Sequence, residues 1–130
     1  MDINEAVDQF YKALNAIIAG DIEPMKEIWS HADDVTYLDP SGAFLVSWND
    51  VLASWQKQAD LNIGGDVHPE NLHLIEVDNP AVTHNYEIGT SRLRGDNEPV
   101  NIRVTNVFRK EDGRWKIISH HTDLMNILEG

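Results

Sequence analysis

Residues 100–122 read VNIRVTNVFRKEDGRWKIISHHT. Along Val100–Arg109 the side chains alternate in character, the period-two signature of a strand with two unlike faces. Ile102, Val104, Asn106 and Phe108 fall on one face, and Arg103, Thr105, Val107 and Arg109 on the other. Glu111-Asp112-Gly113 supplies turn-forming residues, and Trp115–Thr122 continues as a second β-rich run. Strands joined by so short a connection pair antiparallel.

Upstream, the same pattern recurs in Asn71–Val77 and Ala81–Arg94, separated by the turn clusters Asp78-Asn79-Pro80 and Gly95-Asp96-Asn97. The first half of the chain has a different period. Ile3, Val7, Phe10, Leu14 and Ile17 recur at three- and four-residue steps, one face of a helix, with Asp2 as N-cap and Gly20 closing it. Asp21 opens a second, shorter helix carrying Pro24, Met25, Ile28 and Trp29. Val35–Leu38 and Ala43–Val46 form a hairpin around Asp39-Pro40-Ser41-Gly42. Ser47-Trp48-Asn49-Asp50 fits a helix-start signature ahead of Val51, Leu52 and Trp55, and Leu61–Pro69 reads as a loop. Helices first and a meander of strands afterwards predict an α+β fold, a curved sheet with its helices on one face.

The chain has 130 residues, the size of one domain, and residues 1–130 are read as such. A formal net charge of −12 opposes nucleic-acid phosphates and offers nothing to an anionic membrane, so neither partner is expected. With no cysteine there is no disulfide, thiolate metal site or cysteine nucleophile. The six histidines show no metal-ligand spacing, and no phosphate loop, dinucleotide fingerprint or nucleophile elbow occurs, so no cofactor and no metal are expected. No apolar run is long enough to span a bilayer, and the first residues lack a basic leader, which predicts a cytoplasmic protein.

Function is sought in polar residues that share a face with apolar ones. His84 and Tyr86 alternate with the same phase as Val82 and Ile88; Asn106 lies with Val104 and Phe108; Ser119 and His121 lie with Trp115 and Ile117. Burying such groups unpaired costs about 1–3 kcal/mol each, so they should meet one another or a ligand in a shared pocket. A bulge in the last strand would bring His120 inward in place of His121. The residues assigned to catalysis are His121, His84 and Tyr86. Tyr37, Asp39, Trp29, Trp48, Trp55, Asn106, Ser119 and His120 are assigned to substrate binding. The aromatic members Tyr37, Trp29, Trp48 and Trp55 are read first as core or dimer contacts. The opposite, outer face is read as Thr83, Asn85, Glu87, Arg103, Thr105, Val107 and Ile118.

The segment Thr105–Thr122 resembles the C-terminal hallmark of the SnoaL-like family of the nuclear-transport-factor-2-like superfamily. Ala19-Gly20-Asp21 followed by Trp29, the run Asp34–Pro40, and Trp48 to Trp55 occur in the family's order. The resemblance implies a cone-shaped half-barrel: a strongly curved, mostly antiparallel sheet whose concave face is covered by about three helices from the N-terminal half. It also implies a pocket between the layers and a homodimer through the outer sheet face. The same strand pair resembles the association domain of calcium/calmodulin-dependent protein kinases. The pocket arginines of that domain align with Tyr86, Asn106 and Thr122, none of which is arginine here. The family's isomerases use a strand carboxylate as base, and no inner-face Asp or Glu is found on the strands as read. The expected function is small-molecule binding in an interior pocket, extending to isomerase, cyclase or hydro-lyase chemistry with a histidine base. The alternative is a non-catalytic assembly module with a vestigial pocket.

Overall fold

Helix α1 spans Ile3–Ile18, and its periodic apolar face is buried. Asp2 caps it by accepting the Glu5 N–H at 2.9 Å. Gly20, at φ 96°, closes it, with the Asp21 N–H reaching back to the Ala16 carbonyl at 2.8 Å. Helix α2 is Glu23–Ile28, with proline tolerated in its first turn. Strands β1 (Thr36–Leu38) and β2 (Phe44–Val46) form the expected hairpin, and α3 follows as Trp48–Leu61. Ser47 does not cap α3 as the sequence suggests. Its φ is 85° and its side chain makes no capping bond, while its N–H donates to the Val35 carbonyl at 2.9 Å, which clips the helix start to the residue that leads into β1.

The computed structural model describes residues 2–76, 78–92 and 98–124. The turn Gly95-Asp96-Asn97, Arg94 and Val77 lie outside them. The remaining strands are β3 (Gly65–Glu76), β4 (Ala81–Ser91), β5 (Glu98–Glu111) and β6 (Arg114–Leu124). They give one mostly antiparallel six-stranded sheet in the order β2-β1-β6-β5-β4-β3, with β1 and β6 parallel. The expected loop Leu61–Pro69 is therefore half strand. Gly64 and Gly65, at φ 79° and 128°, turn the chain sharply enough for pairing with β4 to start at Gly65. A Cβ at Gly89 would sit 1.9 Å from the Asp66 carbonyl oxygen, so only glycine lets β3 and β4 approach this closely.

The three helices lie on one face of the sheet, and the core forms between them from Phe10, Ile17, Met25, Ile28, Trp29, Trp55, Phe108 and Ile117. Arg109 fastens the preceding loop to the sheet, bonding Asp34 at 2.7 Å and Glu111 at 3.0 Å. Among the described residues no helix is long and apolar enough to cross a membrane.

The pairing of β5 with β6 carries one irregularity. Val107 pairs with Ser119 and Phe108 with Ile117, leaving Ile118 as an extra residue on β6. Beyond that bulge every side chain changes face. Ile117 faces inward, but so do His120 and Thr122, and His121 faces solvent.

Candidate functional site: a polar cluster beneath the helices

The inner face of the sheet is not wholly apolar. Thr83, Asn85 and Glu87 of β4, Asn106 of β5, and His120 and Thr122 of β6 are all buried. They come from cross-strand neighbours: Thr83 pairs with Asn106, Asn106 with His120, and Val104 with Thr122. Tyr11, in the buried stripe of α1, reaches down to this set. Its hydroxyl accepts from Asn85 Nδ2 at 2.8 Å, which leaves its own proton for the Glu87 carboxyl. Burial pushes Glu87 up to about 7, only partly offset by Tyr11. Burial and the nearby carboxyl raise Tyr11 far above its ordinary value, so the phenol keeps its proton.

His120 lies 2.5 Å, Nδ1 to Oδ1, from Asn106. With the carboxamide oxygen toward the ring, Nδ1 carries the proton and Nε2 keeps a lone pair. Burial, assisted by His121, pushes its pKa down to about 3, so the ring is neutral at physiological pH. Aromatic rings enclose it: Phe10 at 5.0 Å, Tyr37 at 5.4 Å and Trp55 at 6.1 Å between centroids. Trp29 continues the cage, 6.4 Å from Tyr37 and 6.3 Å from Trp55.

Several polar atoms of this interior are unused. Among the described residues, Thr83 Oγ1, Asn85 Oδ1, Glu87 Oε1, Asn106 Nδ2 and the indole nitrogens of Trp29 and Trp55 are buried without a hydrogen-bond partner in the protein. Each such atom costs about 1–3 kcal/mol. The set contains donors and acceptors together, as a binding site for a molecule bearing both would require.

A groove of about 980 Å³ lies between the β1–β2 hairpin and α3. Leu45, Ala53 and Leu61 give it apolar walls, and Asp39, Asp50 and Lys57 add charge. It reaches Tyr37 and Gln58, where Gln58 Nε2 donates to the Tyr37 hydroxyl at 3.1 Å. Tyr37 thus borders the groove and also packs against His120. Asp39 holds the hairpin turn: partial burial works against its charge, but bonds from Ser41 and the backbone of Ala43 and Gly42 keep its carboxyl below the usual range.

The chain matches the SnoaL-like domain over residues 3–125. It belongs to that family. Among curated proteins this SnoaL-like domain is 30% identical over 108 residues to F-box protein SKIP8 of Arabidopsis thaliana, covering 82% of this chain but only 43% of that protein. Among solved structures it resembles an NTF2-like family protein of Streptomyces avermitilis, provisionally assigned as a dehydratase, with a TM-score of 0.83 at 23% identity over 95% and 93% of the two chains. A second is from Thiobacillus denitrificans, provisionally assigned as a calcium/calmodulin-dependent protein kinase type II association domain. It gives a TM-score of 0.76 at 24% identity over 95% and 94%. At these identities the structures establish the NTF2-like cone fold and nothing finer.

Within this SnoaL-like domain the sequence-assigned residues divide. Tyr37, Trp29, Trp55, Asn106 and His120 come together beneath the helices. Trp48 is buried at their edge, under the stacked ring of His31 at 4.4 Å. Asp39 borders the groove, and Ser119 sits at the bulge, where its hydroxyl accepts from Thr36 at 2.7 Å. The placement of His84 and Tyr86 on the inner face is corrected. Both point outward, as does His121. In β4 the set Val82, His84, Tyr86, Ile88 has the more apolar look but lies on the outer face, while the inner set Thr83, Asn85, Glu87 is buried, with Asn85 and Glu87 meeting Tyr11. The inner face, read from the sequence as having no Asp or Glu, does carry one carboxyl group, that of Glu87.

Outside, His84 Nδ1 lies 2.9 Å from Thr105 Oγ1, and Arg103 grips Asp123 through two bonds of 2.8 and 2.7 Å. These residues, with His73, Tyr86 and His121, line a groove of about 510 Å³ on the outer face. Among the described residues no group of three His, Asp or Glu side chains is placed to hold a metal ion. The reading of Thr83, Asn85 and Glu87 as outer-face residues is likewise corrected, since all three are buried, and Tyr11 had no role in the sequence reading although it falls at helical spacing between Val7 and Leu14.

Proposed function

We propose that this chain binds a small molecule in the polar interior between α1 and the inner sheet face, reached along the groove past Gln58 and Tyr37. The observation that carries the reading is the unpaired donor and acceptor set around Glu87, Asn85, Asn106, Trp29 and Trp55. A ligand that pairs with these atoms offsets the cost of burying them without a partner in the protein. The aromatic cage supplies the apolar surface that such a ligand buries.

The group able to exchange a proton near neutral pH in this interior is Glu87. An isomerase-, cyclase- or hydro-lyase-type reaction would draw its base from Glu87, since His84 and His121 lie on the far side of the sheet and His120 is too weak a base. The Streptomyces avermitilis protein's provisional assignment as a dehydratase is in keeping with such chemistry. Homodimer formation through the outer face is a second proposal. It is supported by the internally balanced Arg103–Asp123 pair on that face, in a chain whose net charge of −12 otherwise opposes self-association.

The test is a fragment screen on nitrogen-15-labelled protein that follows the indole N–H signals. Binding fragments are expected to shift Trp29 and Trp55, to lose affinity in Asn106→Ala, and to bind His84→Ala unchanged. Hits that perturb only the His84 and His121 side of the sheet would overturn the interior reading.

A further inference from the structure

Glu87 is the one formally anionic side chain among the described buried residues, and its Oε1 has no hydrogen-bond partner in the protein. The titratable groups that face it are Tyr11 from α1 and Tyr37 from β1, both of which keep their protons. Among the described residues no lysine or arginine acts on its carboxyl. An anionic ligand would therefore meet a carboxyl with no counter-charge to receive it, while a cation would relieve the cost of burying Glu87 ionised.

Two further observations point the same way. Aromatic rings stand nearby: Tyr37, which feels the Glu87 charge, packs 4.8 Å from Trp55, and the quadrupoles of such rings attract cations. The approach is acidic as well. Asp39 and Asp50 outnumber Lys57 along the groove, in a chain of net charge −12.

We infer that the molecule held in this interior carries a protonated amine on a small apolar frame, with Glu87 as its counter-ion. The inference rests on the interior site proposed above and specifies what that site takes. Asn106 Nδ2 and the indole N–H groups then receive an acceptor atom elsewhere on the same molecule.

The experiment compares phenethylamine, phenethyl alcohol and phenylacetate, which share a frame and differ in charge, titrated against the indole signals at about pH 8. The amine is expected to bind about tenfold or more tightly than either of the others, the worth of one charge-assisted hydrogen bond. That advantage should vanish in Glu87→Gln, an isosteric change that keeps the fold. It should also shrink below about pH 7, where a proton competes with the amine for Glu87. Equal binding of amine and alcohol, or preference for the carboxylate, overturns the ligand class and leaves the interior site standing. If none of the three probes, and no fragment of the wider screen, shifts either indole, the site itself is overturned.

Discussion

His120 Nδ1 and Asn106 Oδ1 lie 2.5 Å apart on adjacent strands, deep beneath the helices. The carboxamide gives the ring a fixed tautomer and lets an imidazole remain neutral among Phe10, Tyr37 and Trp55. It is the bulge at Ile118 that places the ring there.

Removing the acceptor in Asn106→Ala should destabilise the protein by about 1–3 kcal/mol, the cost of a buried N–H left unsatisfied. Urea denaturation at neutral pH measures it. Unchanged stability would mean that the pair contributes nothing.

Acid should expose the same pair. The folded pKa of His120, about 3, lies below the ordinary 6.5, so the folded state resists the proton. Its contribution to stability is complete above pH 6.5 and is lost as pH falls toward 3. Between neutral pH and about pH 4, wild type should therefore lose stability more steeply than His120→Gln. Parallel profiles would refute the buried neutral ring.

Glu87 acts with the opposite sign. Its folded pKa is raised from 4.5 to about 7, so its contribution is fully present below pH 4.5 and is lost as pH rises through about 7. Glu87→Gln should be more stable than wild type at about pH 8, by on the order of 3 kcal/mol, and the gap should close by about pH 5. Thermal denaturation across this range reads the difference directly.

Gly89→Ala should be among the most damaging single-methyl additions in the sheet. Its Cβ would meet the Asp66 carbonyl oxygen at 1.9 Å, and the obstacle is backbone that cannot swing aside. A loss of about 1–3 kcal/mol or more is expected from such overpacking.

The outer histidines should be dispensable for the fold. His84→Ala removes an exposed ring and should change stability by no more than about 0.5 kcal/mol. Trp55→Ala, in the core, should cost about 3–5 kcal/mol. Comparable losses in the two variants would require the outer face to be buried in an assembly.

The helices and the phase of β5 were legible in the sequence because each has one apolar face and one polar face. In α1 the stripe Ile3, Val7, Phe10, Leu14, Ile17 can go nowhere but inward, and all five are buried. In β5, Val104 and Phe108 carried Asn106 in with them. β4 gave two sets of alternating residues without saying which was inside. The outer set holds Val82 and Ile88, half-buried, while the inner set is Thr83, Asn85 and Glu87, of which Asn85 and Glu87 meet Tyr11 from a helix more than seventy residues away (the Asn85–Tyr11 bond spans 74 positions).

What the chain alone determined, then, was an α+β domain of the SnoaL-like family and the identity of the aromatic residues that build its cage. Local periodicity suffices for the layout of helices and strands, since it depends on neighbours within one element, and the family followed from the resemblance carried by Thr105–Thr122. Which strand face looks inward in β4, and which of two adjacent histidines in β6 lies beneath the helices, were decided by the packed structure. One follows from what α1 lays against the sheet, the other from a single extra residue in β6, and neither leaves a mark on the local hydrophobic pattern.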